Sequence, residues 1–193
     1  MRIRESREKL LDAAFLEVYK NGYHGASTAA ILKNAGVPKG SMYHFFNSKK
    51  GLILATIKER IFPKIDIFFD FTMDEDRDIS QTMESIFAKM SEHTFLIKSG
   101  CPLHRLMVEM APLDSEFEYI LNSKFDDFVK NLSNLFNVSI EKSELKDFDT
   151  YTMARFFITS TWGEISLSPS ISSKKSFLQH SRYLTVLLRC YQR

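Results

Sequence analysis

Cysteine is almost missing from this chain: Cys101 and Cys190 are the only two in 193 residues. Two thiols do not build a disulfide framework, so the sequence reads as a protein of a reducing compartment, expected to be cytoplasmic. No run approaches the ~18 apolar residues that a membrane-spanning helix needs, and no membrane partner is expected. Residues 1–9 are charged and have no apolar centre, so no secretory leader is expected. No stretch sustains the alternation of a strand, and no segment repeats. The groupings that mark an enzyme are missing too, with no nucleophile–base pair, phosphate-binding glycine loop or metal cluster in view. His93, His104 and Glu109 lack metal-ligand spacing, because Glu109 follows His104 by five residues and leaves its helical face. The run Asp74-Glu75-Asp76-Arg77-Asp78 has no turn glycine among its carboxylates and reads as a solvated loop. No catalytic residue, metal or cofactor is therefore expected.

What the chain does hold is apolar surface at helical spacing. Hydrophobic residues make up 44% of it, and 17 are Phe. That many aromatics implies helix faces that pack a core or line a ligand cavity. The formal charge of +2 hides an asymmetry: residues 1–60 carry 11 Lys and Arg against 5 Asp and Glu, and the remainder carries 15 against 19. A basic first third points to a polyanionic partner that meets the N-terminal part. Periodicity predicts helices over 2–20, 49–71 (with Pro63 bending it), 79–98, 103–110, 116–136, 148–167 and 177–191, with polar connections at 139–146 and 168–173. Two short helices between residues 27 and 46 bring the count to about nine.

Those short helices carry the functional argument. Ser27 or Thr28 supplies a hydroxyl to cap the first. Ala30, Ile31, Leu32 and Ala35 give it an apolar side, and Gly36 suits a left-handed exit. Pro38 cannot continue that helix but suits the start of another. The second, Lys39 to Phe46, presents Lys39, Ser41, Tyr43 and His44 as donors, and Gly40 permits close backbone approach. Donors gathered at the first turn of a helix favour a phosphate backbone, because the amides and the dipole point the same way.

The run Gly22, Tyr23, Ser27, Ile31, Ala35, Gly36, Val37, Pro38, Gly40, Met42, Tyr43, Phe46, Ser48, Lys49 and Leu52 resembles the helix-turn-helix of TetR-family transcriptional repressors. Departures are Ala26 where Thr is usual, Ala30 where Asp is common, and Phe45 in place of His or Tyr. The resemblance implies an all-α fold: a three-helix DNA-binding domain over 1–48 and a helical ligand-binding and dimerisation domain over 49–193. It implies that Pro38, Lys39, Gly40 and Ser41 face base edges or nearby backbone. Tyr43, His44 and Lys49 then contact phosphates, and Ser27 and Thr28 join the DNA-binding set. Lys39 suits guanine O6 and N7. The implied partners are a palindromic double-stranded operator, a small-molecule effector and a second copy of the chain.

The dimer faces expected by resemblance are Phe156, Phe157, Thr161 and Ile165 on one helix, and Phe177, Tyr183, Leu184, Leu187 and Leu188 on the other. Candidate effector residues are Phe95, Cys101, His104, Met107, Phe125, Phe128 and Trp162. Cys101, before Pro102 at a helix start, sits where the helix dipole favours thiolate. Gly-Cys before an apolar helix also resembles a TetR subgroup that includes regulators of electrophile or oxidant responses. The competing expectation is a helical structural or ligand-binding protein of the same fold that no longer binds DNA.

Overall fold

The computed structural model describes residues 2–73, 75–167 and 173–193. Asp74 of the acidic loop and residues 168–172 of the last polar loop lie outside the described residues. The elements are α1 (Arg2–Gly25), α2 (Thr28–Ala35), α3 (Lys39–Phe46) and α4 (Lys49–Thr56). A π-helical turn (Ile57–Ile61) and α5 (Phe62–Phe68) continue α4 without interruption, and α6 (Ile79–Glu92) comes after them. Then come α7 (Thr94–Ser99), α8 (Pro102–Met110), α9 (Ser115–Glu141), α10 (Thr150–Ser166) and α11 (Lys174–Arg189). With the α4–α5 column taken as one helix, and α6 and α7 as one helix parted at His93, the described residues form the nine helices expected. Among them there is no sheet, and one antiparallel bridge joins Leu145 to Gln192. No described helix is long and apolar enough to cross a membrane.

Local chemistry sets most helix ends. Ser27 caps α2 through the Ala30 amide, and Gly36 closes it at φ 64°. Ser48 caps α4 through the Gly51 amide. Asp78 with Gln81, and Ser173 with Ser176, form reciprocal capping boxes at the starts of α6 and α11. Each arrangement satisfies amides that the first helical turn leaves without partners.

Pro63 sits inside the α4–α5 column. It has no N–H for the Glu59 carbonyl four residues back. The Arg60 guanidinium donates to that carbonyl at 3.2 Å instead. Just ahead of the proline the chain widens into the π turn, where the Phe62 amide bonds the Ile57 carbonyl. An inserted turn of this kind is one way a helix accommodates a disrupted ladder.

The chain forms two compact units, residues 1–67 with 102–122, and residues 68–101 with 123–193. In the first, Leu10, Leu11, Ala14 and Val18 of α1 are fully buried, together with Ile31 of α2 and Leu52 and Ile53 of α4. Helix α1 packs on α2, α3, α4 and α8. In the second, α6 packs on α11, and α10 on α7 and α11. Aromatic rings fill its centre: Phe69 lies 4.9 Å from Phe128, Phe136 lies 5.5 Å from Phe157, and Phe177 reaches both Phe68 and Phe87.

Among the differences from the sequence reading are two helix boundaries and the faces of two helices. His93, at φ −75° and ψ 65°, separates α6 from α7 inside the stretch 79–98. Helix α9 runs on to Glu141 rather than stopping near Phe136. There Ser139 is fully buried and donates to the Leu135 carbonyl at 3.1 Å, so its polarity does not end the helix. The faces of α10 and α11 also divide differently. Phe157, Thr161, Ile165, Phe177, Leu184 and Leu188 are buried within the chain's own core, whereas Phe156 and Tyr183 stay exposed. Helical period puts apolar residues on both sides of such helices, and spacing alone does not say which side faces inward.

Candidate nucleic-acid interface

Helix α3 turns its two sides to different media. Met42 and Phe46 are buried, at 1% and 7% exposure, while Lys39, Gly40, Tyr43 and His44 are exposed. The i, i+4 pair Met42 and Phe46 anchors the helix, and that leaves the donors outward. Pro38, in extended conformation, precedes the helix, and its carbonyl accepts from the Ser41 amide at 3.0 Å. The Lys39 ammonium lies 5.9 Å from the Tyr43 ring centre, which gathers a cation and a phenol on one surface.

At α2 the expected hydroxyl cap is Ser27, with the Ala30 amide at 3.3 Å. The Ser27 amide itself donates to the Glu17 carboxylate of α1 at 3.1 Å. Ala26, the departure from the family pattern, is 3% exposed, so its methyl is core and the cap is intact without Thr there. Gly51 fits because a Cβ at that position would collide with the Phe46 carbonyl oxygen. This close approach ties the end of α3 to the start of α4.

The two lysines at the start of α4 do different things. Lys49 holds its ammonium 4.7 Å from the Tyr23 ring centre. Lys50 instead binds Asp114 at 2.7 Å and Glu116 at 3.2 Å. The Asp114 hydrogen bond raises the Lys50 pKa, and Lys50 holds the Asp114 carboxyl below its usual range. Asp114 also accepts from the Glu116 amide at 3.0 Å, at the start of α9. Burial raises the Tyr23 phenol pKa, and the Asp114 charge adds to that.

Sequence reasoning missed Arg105, Glu109 and Glu17 as parts of this region. Arg105 donates to the Tyr19 and Lys20 carbonyls at 2.9 and 3.0 Å. Glu109 accepts from the Tyr23 and His24 amides at 2.8 and 2.7 Å. The available signal was a pair of opposite charges four residues apart on α8. That spacing ordinarily marks a surface ion pair.

The candidate effector residues fall in two groups. Phe125 and Trp162 lie 5.0 Å apart with tilted rings, and Trp162 meets Phe69, which in turn meets Phe128, all in the second unit. Cys101 is 3% exposed in that unit, and Phe95 is 52% exposed. His104 and Met107 belong to the first unit; burial lowers the His104 pKa. A crevice in the second unit, too narrow to admit a water molecule, is lined by Phe71, Met83, Phe87, Met90, Leu132, Phe157, Ile158 and Thr161. None of these eight is among the effector residues expected from the sequence.

A capped helix, a glycine turn and a second helix with buried back and donor-bearing front define a helix-turn-helix DNA-binding protein. Residues 10–56 match the family described as bacterial regulatory proteins, tetR family. An HTH-type transcriptional regulator in the lacX 3′ region of Lactococcus lactis subsp. lactis is 30% identical over 135 residues, covering 68% of each chain. A TetR transcriptional regulator from Chloroflexus aurantiacus J-10-fl shares the fold at TM-score 0.85 and 21% identity, covering 100% of this chain and 99% of that one. The TetR-family regulator CifR, solved as a cysteine mutant with 26 bp of double-stranded operator DNA, aligns at TM-score 0.77 and 19% identity over 93% and 95% of the chains. The chain belongs to the TetR family of bacterial transcriptional regulators. Members of that family are non-enzymatic proteins that bind operator DNA.

Proposed function

We propose that the protein is a homodimeric repressor that grips a palindromic operator with one α3 from each copy, and lets go when a small molecule occupies the second unit. The observation that carries this reading is the two-sided α3, with Met42 and Phe46 holding it and Lys39, Tyr43 and His44 facing out. In the proposed division of labour, residues 1–48 meet DNA, joined by Lys49 at the boundary, and 49–193 otherwise regulate and dimerise. Pro38, Lys39, Gly40 and Ser41 lie along base edges. Tyr43, His44 and Lys49 take phosphates, and the hydroxyl-bearing start of α2, Ser27 and Thr28, faces backbone.

Dimerisation is assigned to the outward stripes of α10 and α11. Phe156 at 47%, Tyr183 at 77% and Val186 at 45% leave apolar surface that a second copy would cover. Pairing matters because one short helix reads few bases, whereas two at fixed spacing read a palindrome. A light-scattering mass of a single chain would refute this part.

Release follows from linkage. An effector that binds better when the paired helices are spaced wrongly for DNA lowers operator affinity, and one that binds both spacings equally changes nothing. The aromatic interior of the second unit suits a largely apolar effector, which has to part the rings around the crevice to enter. A thiol-reactive effector would act at Cys101; a Cys101 that resists modification in folded, DNA-competent protein removes that route. The test of the whole reading is a binding titration against palindromes from the DNA flanking its own coding region, over a range of salt. Sequence-selective, salt-sensitive binding supports it, and equal binding to random duplex sinks it.

A further inference from the structure

Helix α1 is broken at Gly22, which sits at φ 71° and ψ −170° inside the span Arg2–Gly25. A break makes two new helix ends, one rich in free carbonyls and one rich in free amides. Helix α8 serves both with side chains one turn apart. The Arg105 guanidinium donates to the Tyr19 and Lys20 carbonyls, and the Glu109 carboxylate accepts from the Tyr23 and His24 amides. Arg105 complements the carbonyl end of the long segment's dipole, and Glu109 satisfies two amides that the break leaves without helical partners. The fit leaves no room at the break, since a Cβ on Gly22 would stand 2.5 Å from Glu109 Oε2.

The reading apparatus begins just past the break. The Tyr23 ring packs edge-on against Phe117 at 5.2 Å and carries the Lys49 ammonium over its face. Ser27, the cap of α2, lies three residues beyond His24. We infer that Arg105 and Glu109 are positioning residues for operator reading: by holding the Gly22 break they fix where α2 and Lys49 stand. Neither residue needs to touch DNA. The inference rests on the DNA-binding reading above.

The test compares the full-length parent with Glu109→Gln, Arg105→Gln and the double variant. Hydrogen exchange is read at the Tyr23 and His24 amides, and affinity is read for a palindromic operator and for random duplex. Glu109→Gln is expected to speed exchange at those two amides and to weaken operator binding about tenfold, the size of one charge-assisted hydrogen bond. Random-duplex affinity and the salt slope are expected to stay as in the parent, because no phosphate-binding lysine is lost. The double variant is expected to lose little more than either single one, because both residues hold one break. Should Glu109→Gln fail to fold, Arg105→Gln carries the operator-affinity readout from the carbonyl end, with the same loss of about tenfold expected. Operator affinity within about twofold of the parent in a folded variant overturns the inference, as does unchanged exchange at both amides. A parent with no operator preference fails the DNA reading itself, and is told apart because the parent alone shows it.

Discussion

Each unit has its own apolar core, and each adds a different kind of contact to it. The first is tied by charges placed on backbone ends and on one another: Arg105 and Glu109 at the Gly22 break, Lys50 on Asp114, Arg7 on Glu59, and Arg60 on Glu8 and Asp12. The second is filled by rings, with Phe68, Phe128, Phe136, Phe157 and Phe177 all at 2% exposure or less. Ionic ties near a surface are weak individually and respond to salt and pH, whereas ring packing is strong and responds mainly to volume. The unit that meets the duplex thus adds directional contacts to its aliphatic core of Leu10, Leu11, Ile31, Leu52 and Ile53. The unit assigned to a ligand is fixed by contacts that can be re-sorted among similar apolar shapes.

The largest effect should come from the ring-filled unit. Phe177→Ala, which empties a site between Phe68 and Phe87, is expected to cost about 3–5 kcal/mol in denaturant unfolding. A loss below 1 kcal/mol would mean that the rings collapse onto the gap and that the contrast in packing is overstated. Gly22→Ala comes next, at about 1–3 kcal/mol from the left-handed backbone, with the Glu109 collision adding to it. Ser27→Ala removes one cap and should cost about 1 kcal/mol; it also checks that Ala26 carries none of that role.

Lys49→Ala should leave stability nearly unchanged. It should lessen the slope of log affinity against log salt by about 1. Lys50→Ala, whose charge is already taken by Asp114, should alter that slope less.

The smallest effect is on pH, and its sign is fixed. Burial lowers the His104 pKa, so the unfolded chain binds that proton more readily. The folded state therefore loses stability as pH falls below about 6.5, the ordinary imidazole value. Asp114, held low by Lys50, adds a loss at more acid pH, as its own folded value is passed. Melting curves of His104→Gln should lack the first loss, and those of Asp114→Asn should lack the second. Parallel curves for parent and His104→Gln between pH 7 and 5 would remove the imidazole from the account.

How legible each part was depends on the range of the interactions. Ser27, Gly36, Pro38 and Ser48 act on groups within a few residues, so sequence alone located α2, α3 and the start of α4. The donors of α3 were legible from their residue types at the start of a short helix and from the family resemblance, and the structure adds that Met42 and Phe46 face inward. Glu109 was not, because its partners are backbone amides 85 and 86 residues away, and amides leave no mark in a sequence. Ser139 misled because a serine that bonds its own helix looks like a loop serine. Phe156 and Phe157 were indistinguishable by composition, and only packing told the exposed ring from the buried one.

The central claim is that paired copies of α3 read a palindrome. Its most direct test is a titration of a palindromic operator against the same duplex with one half-site scrambled, with stoichiometry measured. The account predicts two chains bound per intact palindrome, affinity that falls steeply with salt, and a large loss when either half-site is scrambled. Equal affinity for the intact and half-scrambled duplexes would contradict it.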